Sequence, residues 1–396
     1  MQEEFKNKDR LNIAMVCDPI GDSKAGVIMS TLRFAKLLQK RGHNVIFIGA
    51  KSKKFRENGY YDDVLTYRFR SIPIPKSGGW NTAFPMVWEI KKIFKDEKID
   101  VVHIILPMTG AISAIWTARS LGINIVAHSH SQPENLFMDT PEFIRPTLYG
   151  VWNSFLTWIY GKAGALIYPS ELAYGLLEKL NKKNIKSVVV SNGIDTTEFQ
   201  PAEVGDFYER FNIPQNSVKL LFVGRLFPEK SIDTIIRALP NIIKNYSDIH
   251  LMIVGGGHLR EKLEGQVEIL RVGVHVTFLG LVSEEDKILA YNASDIFVLP
   301  SLAELEGMVV LEAMACAKPI IISDAEMSAS RFFVAGNGFL FKTKNHEDLA
   351  MQVMKLISDI ELRKKMGQIS LENSKKYDIQ RSVDKLEEVY YSLLNK

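Results

Sequence analysis

Short apolar runs alternate with amphipathic helical stretches along this chain, and the alternation comes as two consecutive series. LNIAMVCD, NVIFIGA, VVHIIL, INIVAHS, ALIYPS and SVVVSNG read as buried strands, and STLRFAKLLQKRG, ISAIWTARSLG and ELAYGLLEKL as helices between them. In the first helix Ser30 or Thr31 is the expected cap, and Gly42 ends it. The pattern restarts at VKLLFVGRL and runs through IHLMIVGGG, HVTFLG, DIFVLPS and KPIIISD, with SIDTIIRALPNIIKNY and EEDKILAYNA as helices. Continuously apolar strands separated by helices fit a parallel sheet covered on both faces. Two doubly wound α/β units in tandem are therefore expected. The turn formers of NGIDTTEFQPAEVGD place the boundary near residue 195. Ligands of such sheets bind beyond the carboxyl ends of the strands.

With 396 residues, 46% hydrophobic and 24% charged, the chain has the size and composition of a two-domain globular protein. It contains no uncharged apolar run of about 18 residues, so no spanning helix is expected. The start, MQEEFKNKDR, is polar and mixed in charge and does not read as a signal peptide. Cys17 and Cys316 both sit in apolar runs and read as small core residues, which fits a reducing, cytoplasmic setting. Charge is uneven: residues 1–195 carry 26 Lys and Arg against 18 Asp and Glu, a balance of +8, and the remainder carries −5. A basic N-terminal half favours an anionic surface or acceptor. No nucleic-acid partner is expected. There is no zinc spacing and no D-x-D pair of the kind that would hold a diphosphate through a divalent metal. The G-x-G-x-x-G fingerprint with its downstream acid is also missing, which argues against a dehydrogenase.

Four strand ends carry groups suited to an activated sugar or phosphate. Between Pro300 and Ile321 an apolar run ends, a loop carries Glu304, Glu306 and Gly307, and a helical pattern begins near Met308 with Glu312 on it. A helix start has unpaired N–H groups and partial positive charge, so it suits an anion. Gly307 lets a ligand approach the backbone, and carboxylates accept bonds from sugar hydroxyls. In isolation, solvated acids at a helix start would give the same spacing. Arg225 and Lys230, in VGRLFPEKSID, follow a strand and suit phosphate oxygens by fork and by compact charge. DPIGDSKAG, with Gly21 and Gly26, follows the first strand, and VAHSHSQPEN brings His128 and His130 to another strand end.

The pattern E-x7-E from Glu304 to Glu312, with Gly307 three residues after the first Glu and E-A-M-A at the second, resembles the signature of retaining glycosyltransferases of family 4. GRL-x-P-E-K at Arg225 to Lys230, the loop leading into GV-x-x-STLR, and the histidine of the A-H-S-H-S string add to the resemblance. It implies the GT-B architecture: two Rossmann-like doubly wound domains facing across a cleft. Residues 1–195 would bind the acceptor and 196–377 the nucleotide sugar. Residues 378–396, an amphipathic helix, would cross back to the N-terminal domain. It also implies roles. Arg225 and Lys230 would neutralise the departing diphosphate, and His130 would contact the donor sugar. Glu304 would bind sugar hydroxyls and Glu312 the ribose. Main-chain groups at Gly307, Met308 and Val309 would hold phosphate or sugar oxygens, and Gly21 and Gly26 would border the donor. Glu306, where Phe is usual, is expected to face solvent or the acceptor. Ser231 and Ala317 stand where Gly is common, and SDAEMSASRFF (323–333) replaces the usual GG-x-x-E.

The implied reaction is retaining, metal-independent transfer of a hexose from a nucleotide-diphosphate sugar, with no cofactor. Glucose and a UDP donor are favoured. STLR, HSHSQPENLF and the basic, aromatic N-terminal half resemble the diacylglycerol glucosyltransferase and phosphatidylinositol mannosyltransferase branches. A membrane lipid is therefore the expected acceptor, and an anionic inner-membrane surface the expected partner. Lys51, Lys53, Lys54, Arg56, Gln132, Glu134, Trp152 and Trp158 are the candidate acceptor or membrane residues. A buried helix packed on the sheet would equally account for the aromatic segment 148–160. A soluble enzyme of capsule, lipopolysaccharide or glycan synthesis and a nucleotide-sugar epimerase are the alternatives.

Overall fold

The computed structural model describes residues 10–21, 25–74, 77, 79–133, 137–138 and 140–394. The chain divides into two compact units. The first comprises Met1–Pro133, Phe143–Asn192 and Gln380–Lys396, and the second Glu134–Glu142 and Gly193–Ile379.

In the first unit the elements run β1 (Asn12–Val16), α1 (Gly26–Lys40), β2 (Asn44–Ala50), β3 (Gly59–Tyr61), β4 (Val64–Phe69), β5 (Ser71–Pro73), β6 (Asn81–Ala83), α2 (Val87–Asp96), β7 (Val101–Ile104), α3 (Thr109–Leu121), β8 (Asn124–His128), α4 (Arg145–Tyr160), β9 (Ala165–Tyr168), α5 (Glu171–Leu177) and β10 (Lys186–Val189). Eight strands form one sheet in the order β10-β9-β8-β7-β1-β2-β4-β3. All pairs are parallel except β3 with β4. The central apolar runs become strands buried almost from end to end, as a sheet covered on both faces requires, whereas the edge strand β10, expected to be buried, is only partly covered.

The second unit runs α6 (Phe207–Arg210), β11 (Val218–Val223), α7 (Asp233–Asn245), β12 (Ile249–Val254), α8 (Arg260–Ile269), β13 (Val276–Gly280), α9 (Glu284–Ala293), β14 (Ile296–Leu299), β15 (Ala303–Glu304), α10 (Met308–Ala315), β16 (Ile320–Ser323), β17 (Met327–Ser328), β18 (Gly338–Phe341), α11 (His346–Ser358) and α12 (Ile360–Ser374). Its main sheet is wholly parallel, in the order β13-β12-β11-β14-β16-β18. Counted within the unit this is the order 3-2-1-4-5-6 of a doubly wound dinucleotide fold, whose switch point lies between β11 and β14. The last four residues of GNGFLF (336–341) are the edge strand β18, which pairs with β16 from Ile320↔Gly338 to Ser323↔Phe341.

The last helix, α13 (Ile379–Leu394), packs on the first unit. Glu387 on it accepts from Arg41 Nη1 at 2.8 Å and meets His43 Nε2 at 2.9 Å, and Arg41 also reaches Asp384 at 2.7 Å. Both cysteines are buried and free.

Candidate functional site

The two strands flanking the switch point of the second unit deliver the sequence-identified residues. β11 runs into Gly224 and Arg225, and a short 3-10 turn, Pro228–Lys230, follows. β14 runs into the loop that holds Glu304 and ends at the start of α10. Arg225 donates from Nη2 to Glu229 Oε1 at 2.8 Å and lies 4.6 Å from the Phe227 ring centroid, so its guanidinium is held from two sides. Glu229 is buried, and its carbonyl accepts from Leu302 N at 2.7 Å, tying the two loops together. Lys230 Nζ is ion-paired to Glu304 Oε1, and both side chains are largely buried. Two residues 74 positions apart thus meet as one charge pair.

Gly307 is the N-cap of α10 with φ +96°. A Cβ there would come within 2.0 Å of Ser330 Oγ, so no other residue fits without rearrangement. Met308 and Val309 form the first turn of α10, with the N–H groups of a helix start around them. Backbone approach also shapes the Arg225 loop: a Cβ on Gly255 would lie 1.8 Å from Gly224 O. The sequence reading had that glycine run only as the end of a strand.

Glu312 is 3% exposed. Its Oε1 accepts from Lys287 Nζ at 3.0 Å and its Oε2 from Tyr291 Oη at 2.7 Å. Burial works against the Lys287 charge, and Glu312 and Glu284 overcome it, leaving its pKa above the usual value. Burial, then the Glu312 charge, pushes the Tyr291 hydroxyl well above its usual value. Lys287 and Tyr291 were missed in the sequence because nothing local marks them. Both lie on α9, and only packing against α10 gives them Glu312.

One expectation changes. Glu306 does not face solvent, being 4% exposed. Its carbonyl accepts from Ser330 Oγ at 3.3 Å, and its charge raises the pKa of Tyr377, second to burial. The divergent segment 323–333 lies beside the Glu304 loop: its β17 pairs with β15, placing Ser328 opposite Glu304.

In the first unit the switch point lies between β1 and β7. Asp18, just after β1, is buried. Its Oδ2 accepts from Ala83 N at 2.8 Å, Gly110 N at 3.1 Å and Thr82 Oγ1 at 3.1 Å. Burial raises its pKa to about 6 against those bonds. Gly21 has φ +87° and packs against Phe55 and Arg68, and Gly26 opens α1. His130 lies two residues beyond β8, beside His128, with ring centroids 3.9 Å apart. Burial lowers the His130 pKa to about 3.

The acceptor candidates separate. Gln132 is buried, and Glu134 lies outside the described residues. Lys53, Lys54 and Arg56 are exposed, and Lys51 pairs loosely with Glu57 at 3.8 Å. Trp152 and Trp158 are half-buried in an aromatic row: Trp152–Phe155 centroids are 5.8 Å apart, Phe155–Trp158 6.3 Å and Trp116–Trp158 6.4 Å. Exposed apolar side chains of this unit include Phe84, Met86, Val87 and Trp88 at the start of α2, Trp116 on α3, and Phe143 and Val151 just before and on α4. Among the described residues no helix is long and apolar enough to cross a membrane.

Two doubly wound parallel units, one with cations, a carboxylate and a helix start gathered at its switch point, define an α/β protein whose second unit is suited to an anionic ligand. The chain belongs to the family 4 glycosyltransferases. Residues 25–198 match the family described as Glycosyltransferase Family 4, and residues 206–372 match Glycosyl transferases group 1. It is similar to the alpha-monoglucosyldiacylglycerol synthase of Streptococcus pneumoniae, at 25% identity over 78% of this chain and 70% of that one. It is also similar to the phosphatidyl-myo-inositol mannosyltransferase of Mycolicibacterium smegmatis, at 25% identity over 89% of this chain and 86% of that one. Among solved structures, sucrose-phosphate synthase from Thermosynechococcus elongatus superposes with TM-score 0.83 at 20% identity, covering 98% of this chain and 100% of that one. Anabaena HepE in complex with UDP superposes with TM-score 0.76 at 17% identity, covering 96% and 100%. These likenesses identify the fold as GT-B.

Proposed function

We propose that this glycosyltransferase moves a hexose, glucose favoured, from a UDP-sugar to a hydroxyl of a membrane lipid such as diacylglycerol, with retention at the anomeric carbon. The observation that carries the reading is the gathering of Arg225, Lys230, Glu304 and the α10 start at the switch point of the second unit. As the sugar–phosphate bond breaks, negative charge builds on the diphosphate. Arg225, Lys230 and the main-chain N–H groups after Gly307 would meet it without reorganisation. Glu304 uses Oε1 to hold Lys230, which leaves Oε2 for a sugar hydroxyl. A leaving diphosphate oxygen would take the acceptor's proton on the same face, and no protein nucleophile is invoked. Because fixed cations do this work, no divalent metal is required in the proposal.

A UDP donor is supported by HepE, which was solved with UDP-glucose. The lipid acceptor is supported by the two lipid-glycosylating relatives and by the exposed apolar group Phe84, Met86, Val87, Trp88 and Trp116. Lys92 and Lys95 are exposed on α2 beside it, a combination suited to an anionic bilayer surface.

Incubation with UDP-, GDP- and ADP-sugars and diacylglycerol vesicles, with products resolved by mass, tests the reading. Glycolipid formed from a UDP-hexose with EDTA present is the expected result. Transfer only to water-soluble glycans would replace the lipid acceptor, and rapid epimerisation of the donor alone would replace the reaction.

A further inference from the structure

Three imidazoles of the first unit stand in one column. His103 is in β7, His128 ends β8, and His130 follows two residues later. The two strands are parallel neighbours, with Ile104 opposite Ala127. The His103 and His128 rings are stacked at 5.5 Å with 5° between their planes, and His128 meets His130 at 3.9 Å and 33°. At the buried end, His103 Nδ1 lies 2.8 Å from Tyr390 Oη on α13. His103 is fully buried and His128 is 3% exposed. Neither ring nitrogen of His128 has a hydrogen-bond partner. Its orientation is therefore set by the flat rings on either side and not by polar contacts.

We propose that Tyr390, through His103 and His128, positions the imidazole of His130, so that α13 supports a reacting group far from it in sequence. The proposal rests on the glycosyl-transfer reading, in which His130 acts on the transferred sugar. The hydrogen bond between Tyr390 and His103 fixes the plane of the His103 ring and couples its tautomer to the Tyr390 hydroxyl. Stacking passes that plane to His128, and the close contact leaves His130 one comfortable orientation. A small cavity lined by His128, Ser129, His130, Ser131 and Tyr160 adjoins the outer end of the column. Burial, and secondarily the charge on His130 at the far end of the column, lowers His103 to about 3. Burial alone lowers His130 equally, and burial followed by both neighbouring rings takes His128 well below its usual value. The column is thus uncharged at neutral pH, and its rings stack without repulsion.

Tyr390→Phe removes a single oxygen and is the direct test. Transfer should fall about tenfold in kcat with donor KM within about twofold, the loss expected when a reacting group is misplaced while binding is kept. His128→Leu should do the same. His128→Phe, which restores a flat ring, should recover most of the rate, a discrimination that space-filling alone would not make. The ring nitrogen resonances of His130, assigned by their loss in His130→Asn, should move in Tyr390→Phe and His128→Leu and stay put in His128→Phe. Wild-type kcat and unmoved His130 resonances in Tyr390→Phe and His128→Leu would overturn the support. Absence of transfer by the wild type with every nucleotide sugar would count against the glycosyl-transfer reading instead, and the resonances would still decide the positioning.

Discussion

Ala317 and Ser231 occupy the left-handed region, at φ +58° and +48°. These are two positions where the family commonly has glycine, and the backbone explains that usage. A side chain in this region costs on the order of 1 kcal/mol. Ala317→Gly should therefore stabilise the second unit by about 1 kcal/mol, read from the urea midpoint. Ser231→Gly should gain less, because Ser231 Oγ lies 2.9 Å from Thr234 Oγ1 and that bond would be lost. Gly307→Ala runs the other way: positive φ and the 2.0 Å approach to Ser330 predict a loss of about 2–3 kcal/mol. Arg225→Ala should lower kcat by about 10²–10³, since it removes a charge placed to meet the leaving group, and should also lower the melting temperature, because the buried Glu229 carboxylate loses its guanidinium partner. An unchanged kcat would remove Arg225 from the reaction. The buried histidines set a pH dependence. His103 is held near 3 in the native state and returns to 6.5 when unfolded. Its contribution is complete above pH 6.5 and is lost as pH falls toward 3, by about 1.4 kcal/mol per pH unit. His103→Gln should flatten the stability profile between pH 6.5 and 4.5 by that slope. Asp18 has the opposite sign: its raised pKa of about 6 gives stability below 3.8 that is lost as pH rises through 6.

At the scale of elements, α13 is tied to the first unit by one buried carboxylate. Burial alone would raise the Glu387 pKa, but bonds from His43 and Arg41 lower it below the usual value. Glu387→Ala leaves His43 and Arg41 without that partner, and a cost of about 3 kcal/mol is expected. Hydrogen exchange should then show residues 379–394 opening before the strands of that unit; unchanged protection there would mean that apolar packing alone holds the helix. The long apolar strands were legible because a strand buried on both faces leaves a run that needs no partner to be recognised. The short ones, β3, β5, β15 and β17, were not. Two or three residues carry no period, and each is a strand only because another segment lies beside it. The aromatic segment 148–160 was read two ways from composition. In the structure it lies within the sixteen-residue helix α4, of which only Leu156, Ile159 and Tyr160 are buried.

For the whole molecule, two separate cores predict separable unfolding. UDP should raise the melting transition of the second unit selectively, by about 2.7 kcal/mol of stabilisation at a hundredfold excess over Kd; a shift confined to the first unit would place the donor elsewhere. Vesicles of anionic lipid should sediment the protein at low salt and release it as salt screens the α2 lysines. Trp88→Ala combined with Trp116→Ala should weaken that binding at every salt concentration. The alternation of strands and helices, the cations after β11 and the acid-glycine-helix string after β14 could all be read from the chain, because strand burial, loop charge and helix starts depend on neighbours in sequence. The pairing of Lys230 with Glu304, the enclosure of Glu306, the hold of Lys287 and Tyr291 on Glu312, and the histidine column braced by Tyr390 could not. Each joins groups distant along the chain, and whether a side chain is buried, paired or free is set by what the folded backbone packs against it.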